Sequence, residues 1–179
     1  MREATRAGSE TLDRYSPFQV AVLVLLRMFI GWHFLYEGLA KLTNPYWTSA
    51  GYLAESKWWF AGIFTDIAAN PTALTIVDYV NAWGLLLIGI GLMLGLFTRS
   101  ATIVGMVLLF LYYIAAPPFV GFVYSMPTEG SYLVVNKVLI ELAALAVLLA
   151  FPTGTVFGLD RWLPWKRQSD RAALGQAGA

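Results

Sequence analysis

The chain has 179 residues, 58% of them hydrophobic and 13% charged, with a net charge of +1 and a mean hydropathy of +0.63. A soluble domain carries about 25% charged residues, so this is the composition of a membrane protein, and its near-neutral charge gives no reason to expect nucleic acid as a partner. With no cysteine and a single histidine, the chain alone cannot build a disulfide, a thiolate nucleophile, an iron–sulfur cluster, a bis-histidine haem or a His/Cys zinc site.

Residues 1–17 form a polar segment in which Arg2, Arg6 and Arg14 stand against Glu3, Glu10 and Asp13. No short apolar core with a small-residue cleavage site follows it. The first apolar stretch, 18–42, is long enough to span a bilayer and is expected to act as an uncleaved signal anchor. Three more apolar segments follow at 76–97, 101–116 and 133–151. The second is expected to start earlier, with Asn70 as N-cap and Pro71 at the first helical position. The third stops at Pro117-Pro118, which cannot continue a helix. The expected fold is all-α: a polytopic membrane four-helix bundle over residues 18–163, followed by a flexible polar tail, 164–179.

Basic residues outside the spans set the expected orientation. Arg2, Arg6, Arg14, Arg99, Arg161, Lys166, Arg167 and Arg171 fall on one side, against Lys57 and the edge residue Lys41 on the other. The positive-inside rule then puts both termini in the cytoplasm of a bacterial inner membrane, with loops 43–75 and 117–132 facing outward. Those loops are aromatic: Tyr46, Trp47, Tyr52, Trp58, Trp59, Phe60 and Phe64, then Phe119, Phe122, Tyr124 and Tyr132. Over 49–64 the pattern puts Leu53, Trp59, Phe60, Ile63 and Phe64 on one side and Glu55 towards the other. The expectation is a helix lying in the interface, with Lys57 snorkelling. Its tryptophans, with Trp47, are read either as an anchoring belt or as a docking surface for a membrane or periplasmic partner subunit, through Trp47, Trp58 and Trp59.

The first span also carries Arg27, His33, Glu37 and Lys41, which at about 100° per residue share roughly a third of the helix circumference. Met28, Trp32, Leu35 and Leu39 occupy the opposite face. Charges at membrane depth are costly and face a bundle interior, an ion pair or a wet cavity. The fourth segment contributes Asn136, Lys137 and Glu141. If the first and fourth spans are neighbours, Glu37 and Lys137 lie at similar depth, Glu141 falls between Arg27 and His33, and Asp78 and Asn81 of the second helix approach Lys41. Two readings follow. The pairs lock the bundle, or they line a polar pocket for a quinone-like head group or for proton transfer, work that suits an imidazole titrating near pH 6.5. Gly84, Gly91 and Gly95, with Gly91-xxx-Gly95 as a small-xxx-small pattern, and Ala143, Ala144 and Ala146 are expected to let helices approach closely.

In four places the chain resembles the DoxX family of four-helix membrane proteins: Arg27-Met28-Phe29-Ile30-Gly31, Glu37-Gly38-Leu39-Ala40-Lys41, Gly95-Leu96-Phe97-Thr98-Arg99 and Gly158-Leu159-Asp160. The resemblance covers residues 18–163, with Arg27, Glu37, Lys41 and Arg99 as matching positions. The family takes its name from a membrane subunit linked to thiosulfate:quinone oxidoreductase. The resemblance therefore implies a quinone-linked membrane component of an oxidoreductase, with quinone as a non-covalent cofactor and no redox centre of its own. Arg99 is expected to complement the dipole at the end of the second helix, and Asp160 to pair with Arg99 or Arg161. The alternative is a non-enzymatic anchor or scaffold of a larger complex. A transporter is disfavoured by four spans with no evident inverted repeat.

Overall fold

The computed structural model describes residues 16–125, 133–151, 153–155 and 157–162. The expectations for residues 1–15, for Tyr132 and for the tail from residue 163 lie outside these. Every regular element among the described residues is helical, without a strand. Three helices are long and apolar enough to cross a membrane: α1 (Pro17–Thr43), α4 (Pro71–Leu94) and α5 (Thr98–Ala115). Between α1 and α4 lie two short helices, α2 (Ala50–Ala54) and α3 (Ala61–Ala69), and the bundle is completed by α6 (Lys137–Ala150).

Each long helix starts where side chains satisfy its first amides. At α1, Ser16 Oγ accepts from the Gln19 amide at 3.2 Å, and Gln19 Oε1 accepts from the Ser16 amide at 2.8 Å. This is a reciprocal capping box, with Pro17 at the first position. At α4, Asn70 Oδ1 accepts from Thr72 and Ala73, as expected. Helix α4 ends at Leu94 because Gly95 turns left-handed, φ 64°, a conformation that spares glycine the Cβ clash. Helix α5 begins at Thr98, three residues before the expected start, because its cap is distant in sequence. Asp160 accepts from the amides of Phe97 (2.7 Å) and Thr98 (3.1 Å).

Two expectations need correction. The fourth helix does not fill 133–151. Asn136 accepts from the Leu139 amide at 3.0 Å and caps a helix of 14 residues, about 21 Å long at 1.5 Å per residue. That is short of the roughly 30 Å hydrocarbon core. Nor is 49–64 one interfacial helix: the chain breaks between α2 and α3 over residues 55–60. There Trp58 and Trp59 stack on each other at 5.1 Å, an arrangement that neighbours on a helix, splayed by 100°, cannot make. Trp58 also meets Phe119 edge-on at 5.2 Å, Lys57 donates to the Val123 carbonyl, and Glu55 accepts from the Ser125 amide at 2.7 Å. The two loops at this end of the bundle are thus stitched together.

The bundle runs in the cyclic order α1, α4, α5, α6, with the longest contact between α1 and α4 and the loosest seam between α1 and α6. The α1–α4 contact depends on Gly31, Gly38 and Gly89. A Cβ on Gly38 would lie 2.5 Å from the Leu86 amide nitrogen, and one on Gly89 would lie 2.4 Å from that of Leu35. The sequence pattern had pointed elsewhere: a Cβ on Gly84 would meet nothing within 4 Å, and Gly91 faces Leu96 and Ala101. The core, centred on Phe34, Leu92, Leu145 and Leu148, fills the middle of the bundle.

Candidate functional site

At the Lys41 end of the bundle, α1 and α6 run antiparallel with their polar residues in register. His33 Nδ1 lies 2.7 Å from Glu141 Oε1. With the ring proton on Nδ1, the imidazole donates to Glu141. One turn along α1, Lys41 donates to Glu37, and the Lys41 ammonium also lies 5.3 Å from the centroid of the Trp47 ring. Lys137 stands close enough to act electrostatically on both His33 and Glu37. These five groups share one pocket of about 180 Å³ with Phe34, Leu85, Leu109, Tyr112 and Val138. The Glu141 side chain is 15% exposed and that of His33 52% exposed, so the pocket opens beside His33.

Glu37 and Lys137 lie at similar depth, as expected. In an antiparallel pair that same register puts Glu141 at the level of His33, rather than between His33 and Arg27. Glu37 takes Lys41 on its own helix as hydrogen-bond partner, with Lys137 nearby. Asp78 accepts from the amide of Ser49 at 2.9 Å and from its hydroxyl, tying the loop after α1 to α4. Asn81 accepts from the Tyr112 hydroxyl. Of the other expected site residues, Asn136 caps α6 and Trp47 lines a second pocket. Trp58 packs on Phe119, and Trp59 stays 85% exposed.

Arg27 is placed apart, near the other end of the bundle. It is 2% exposed, and its guanidinium donates to Thr153 Oγ1 at 3.3 Å and to the Phe157 carbonyl, within the electrostatic reach of Asp160. Around it the chain is tightly folded. A Cβ on Gly158 would lie 2.7 Å from the Gly95 carbonyl, and one on Gly154 would lie 2.7 Å from Asp160 Oδ2. The Asp160 amide donates to the Gly95 carbonyl at 2.9 Å. Asp160 thus caps α5 as well as facing Arg27.

Sequence reasoning missed Tyr112, Tyr52 and Val138 as pocket residues. The second pocket, about 270 Å³, is lined by Lys41, Trp47, Ser49, Tyr52, Asn81, Tyr112 and Val138. The Tyr52 hydroxyl donates to the Tyr112 carbonyl at 2.7 Å, and burial pushes that phenol above its ordinary range. A signal was present: Tyr112 and Asn81 are hydrogen-bonding residues inside apolar spans, where such groups seek one another.

No curated protein and no solved structure matches the chain at a significant level. The family model described as DoxX matches residues 22–120, more than half of the chain. That stretch includes α4, all of α5 and most of α1, with Arg27, His33, Glu37, Lys41 and Gly95–Arg99, and on this evidence the chain belongs to the DoxX family.

Proposed function

We propose that the chain is the membrane subunit of a quinone-linked oxidoreductase, and that the pocket between α1 and α6 holds the quinone head group. The observation that carries this reading is the His33–Glu141 contact of 2.7 Å inside a pocket that also gathers Glu37, Lys41 and Lys137. A half-open pair of ionisable groups at membrane depth is costly beside acyl chains, and a ligand with polar oxygens on an apolar ring meets both requirements. A cavity of roughly 150 Å³ takes benzene, so about 180 Å³ has room for one six-membered ring with small substituents. Phe34, Leu85 and Leu109 offer its faces apolar walls. His33 and Lys137 supply donors for carbonyl oxygens, and Glu141 orients the imidazole. The opening beside His33 suits a ligand arriving from the bilayer. Electrons come from a partner, since the chain has no metal-binding cysteines and one histidine.

The exposed Trp59, stacked on Trp58, favours a docking role for this loop towards a membrane or periplasmic subunit. The arginine distribution supports a bacterial inner membrane with both termini cytoplasmic. The deciding experiment is binding of a short-chain benzoquinone to the purified protein in mild detergent, followed by quenching of tryptophan fluorescence. His33→Ala and Glu141→Gln are expected to weaken binding at least tenfold while the protein stays folded. Wild-type affinity in both folded variants refutes the head-group site and leaves the anchor reading.

A further inference from the structure

We infer that the polar residues at the Lys41 end form a one-sided aqueous half-channel, which admits water and protons to the His33–Glu141 pair from the loop side only. The two pockets share three wall residues, Lys41, Tyr112 and Val138. The outer pocket, about 270 Å³, is walled by Trp47, Ser49 and Tyr52 from the loop between α1 and α4. A third hollow, of about 250 Å³, again has Lys41 as a wall and reaches Asp78 and Asn44 at the loop surface. Lys41 is therefore the common partition between the intramembrane pocket and two hollows that face the loops. From Lys41 to His33 is eight residues along α1, about 12 Å at 1.5 Å per residue.

The other direction is sealed. Below His33, the side chains of Ile30, Ile88, Leu92, Leu145 and Leu148 are all buried and in mutual contact, with Leu92 and Leu145 at 0% exposure. Beyond them lies the buried Arg27–Asp160 cluster. A dry apolar plug of this kind holds no water, because a buried water needs two to four polar partners. Protons reaching the His33–Glu141 pair must then exchange with the loop-side aqueous phase. This inference goes beyond the head-group proposal and does not depend on it.

The natural absence of cysteine makes the test direct. Single variants Val138→Cys and Asn81→Cys report on the route, and Ile88→Cys and Leu148→Cys report on the plug. The full-length protein is placed in sealed membrane vesicles of each orientation and treated with silver ion, a water-sized probe that reacts with thiolates. Thiols left unreacted are then counted with maleimide after denaturation. Thiolates form in water and are suppressed in apolar surroundings. Val138→Cys and Asn81→Cys should be protected by silver at least 100-fold faster than the plug variants, and only in vesicles that expose the loop side. Equal rates at route and plug positions, or protection of Val138→Cys from the opposite side, overturns the half-channel. Val138→Cys removes no hydrogen bond, so it stays informative if Asn81→Cys, which breaks the Tyr112 contact, is poorly folded. The readout is water access alone, so failure of quinone binding leaves it unaffected.

Discussion

Gly89 and Gly84 sit five residues apart on α4, and replacing each with alanine separates helix packing from helix propensity. At Gly89 the added Cβ would lie 2.4 Å from the Leu35 nitrogen, 2.6 Å from its Cα and 2.8 Å from the Gly31 carbonyl oxygen, all backbone atoms that cannot swing aside. Ordinary contact begins at 3.4 Å, so α1 and α4 must part by about 1 Å, a gap that forfeits a quarter to a half of the local dispersion attraction. Overpacking of this kind costs about 1–3 kcal/mol, more where backbone rather than side chain must yield. At Gly84 nothing lies within 4 Å, and alanine gains up to about 1 kcal/mol of helix propensity. The two variants should differ by about 2–4 kcal/mol, with Gly89→Ala the less stable. The assay is unfolding in mixed micelles of increasing SDS fraction, followed by far-UV circular dichroism. A midpoint for Gly89→Ala at or above that of Gly84→Ala refutes close backbone approach as the basis of the α1–α4 contact.

The Phe97 and Thr98 amides bond separate oxygens of Asp160, so Asp160→Asn keeps an acceptor for one of them and removes the charge facing Arg27, whereas Asp160→Ala removes both acceptors and the charge. Losing the cap costs about 1 kcal/mol, and leaving a buried cation without its counter-charge costs about 3–5 kcal/mol, so the same SDS titration should rank wild type above Asn above Ala. Tyr52→Phe deletes the hydrogen bond to the Tyr112 carbonyl and should lower stability at neutral pH by about 1 kcal/mol. Because burial raises the Tyr52 phenol above its ordinary value, its contribution is whole below about pH 10 and is lost as the pH rises beyond that. Thermal unfolding at pH 8 and pH 11 should therefore show a smaller alkaline loss in Tyr52→Phe than in wild type. Trp59→Ser, at a side chain that is 85% exposed, should leave thermal stability within about 0.5 kcal/mol of wild type while reducing recovery of any co-purifying subunit. Unchanged recovery removes Trp59 from the docking surface.

The spans and the capping of α4 at Asn70 were legible because length, apolarity and cap chemistry are local properties. The start of α5 was not, since its cap is Asp160, 62 residues beyond Thr98. Periodicity brought His33, Glu37 and Lys41 to one pocket and set Arg27 on the same face. It could not say that the guanidinium would turn to the chain following α6. The Glu37–Lys137 level already implied Glu141 opposite His33, but apolarity ran the segment back to residue 133, past the Asn136 cap, and drew Glu141 towards the middle of the bundle. Gly31, Gly38 and Gly89 escaped notice because their significance lies in which backbone faces them, information that a single helix does not contain. The glycines picked out by spacing on α4 fell at an open position (Gly84), against Leu96 and Ala101 (Gly91) and at the helix terminus (Gly95).

The cluster around Arg27 joins three stretches on which the family resemblance rests: the Arg27 segment of α1, the Gly95–Thr98 turn and Gly158–Asp160. This cluster stands at the end of the bundle remote from the pocket. A motif match built mainly on such a fastening certifies architecture and is silent about cargo. Proteins sharing this clasp are free to diverge at the opposite pole, where His33, Tyr112 and Glu141 meet, without losing their shared outline. Sorting relatives by ligand would have to start from those positions.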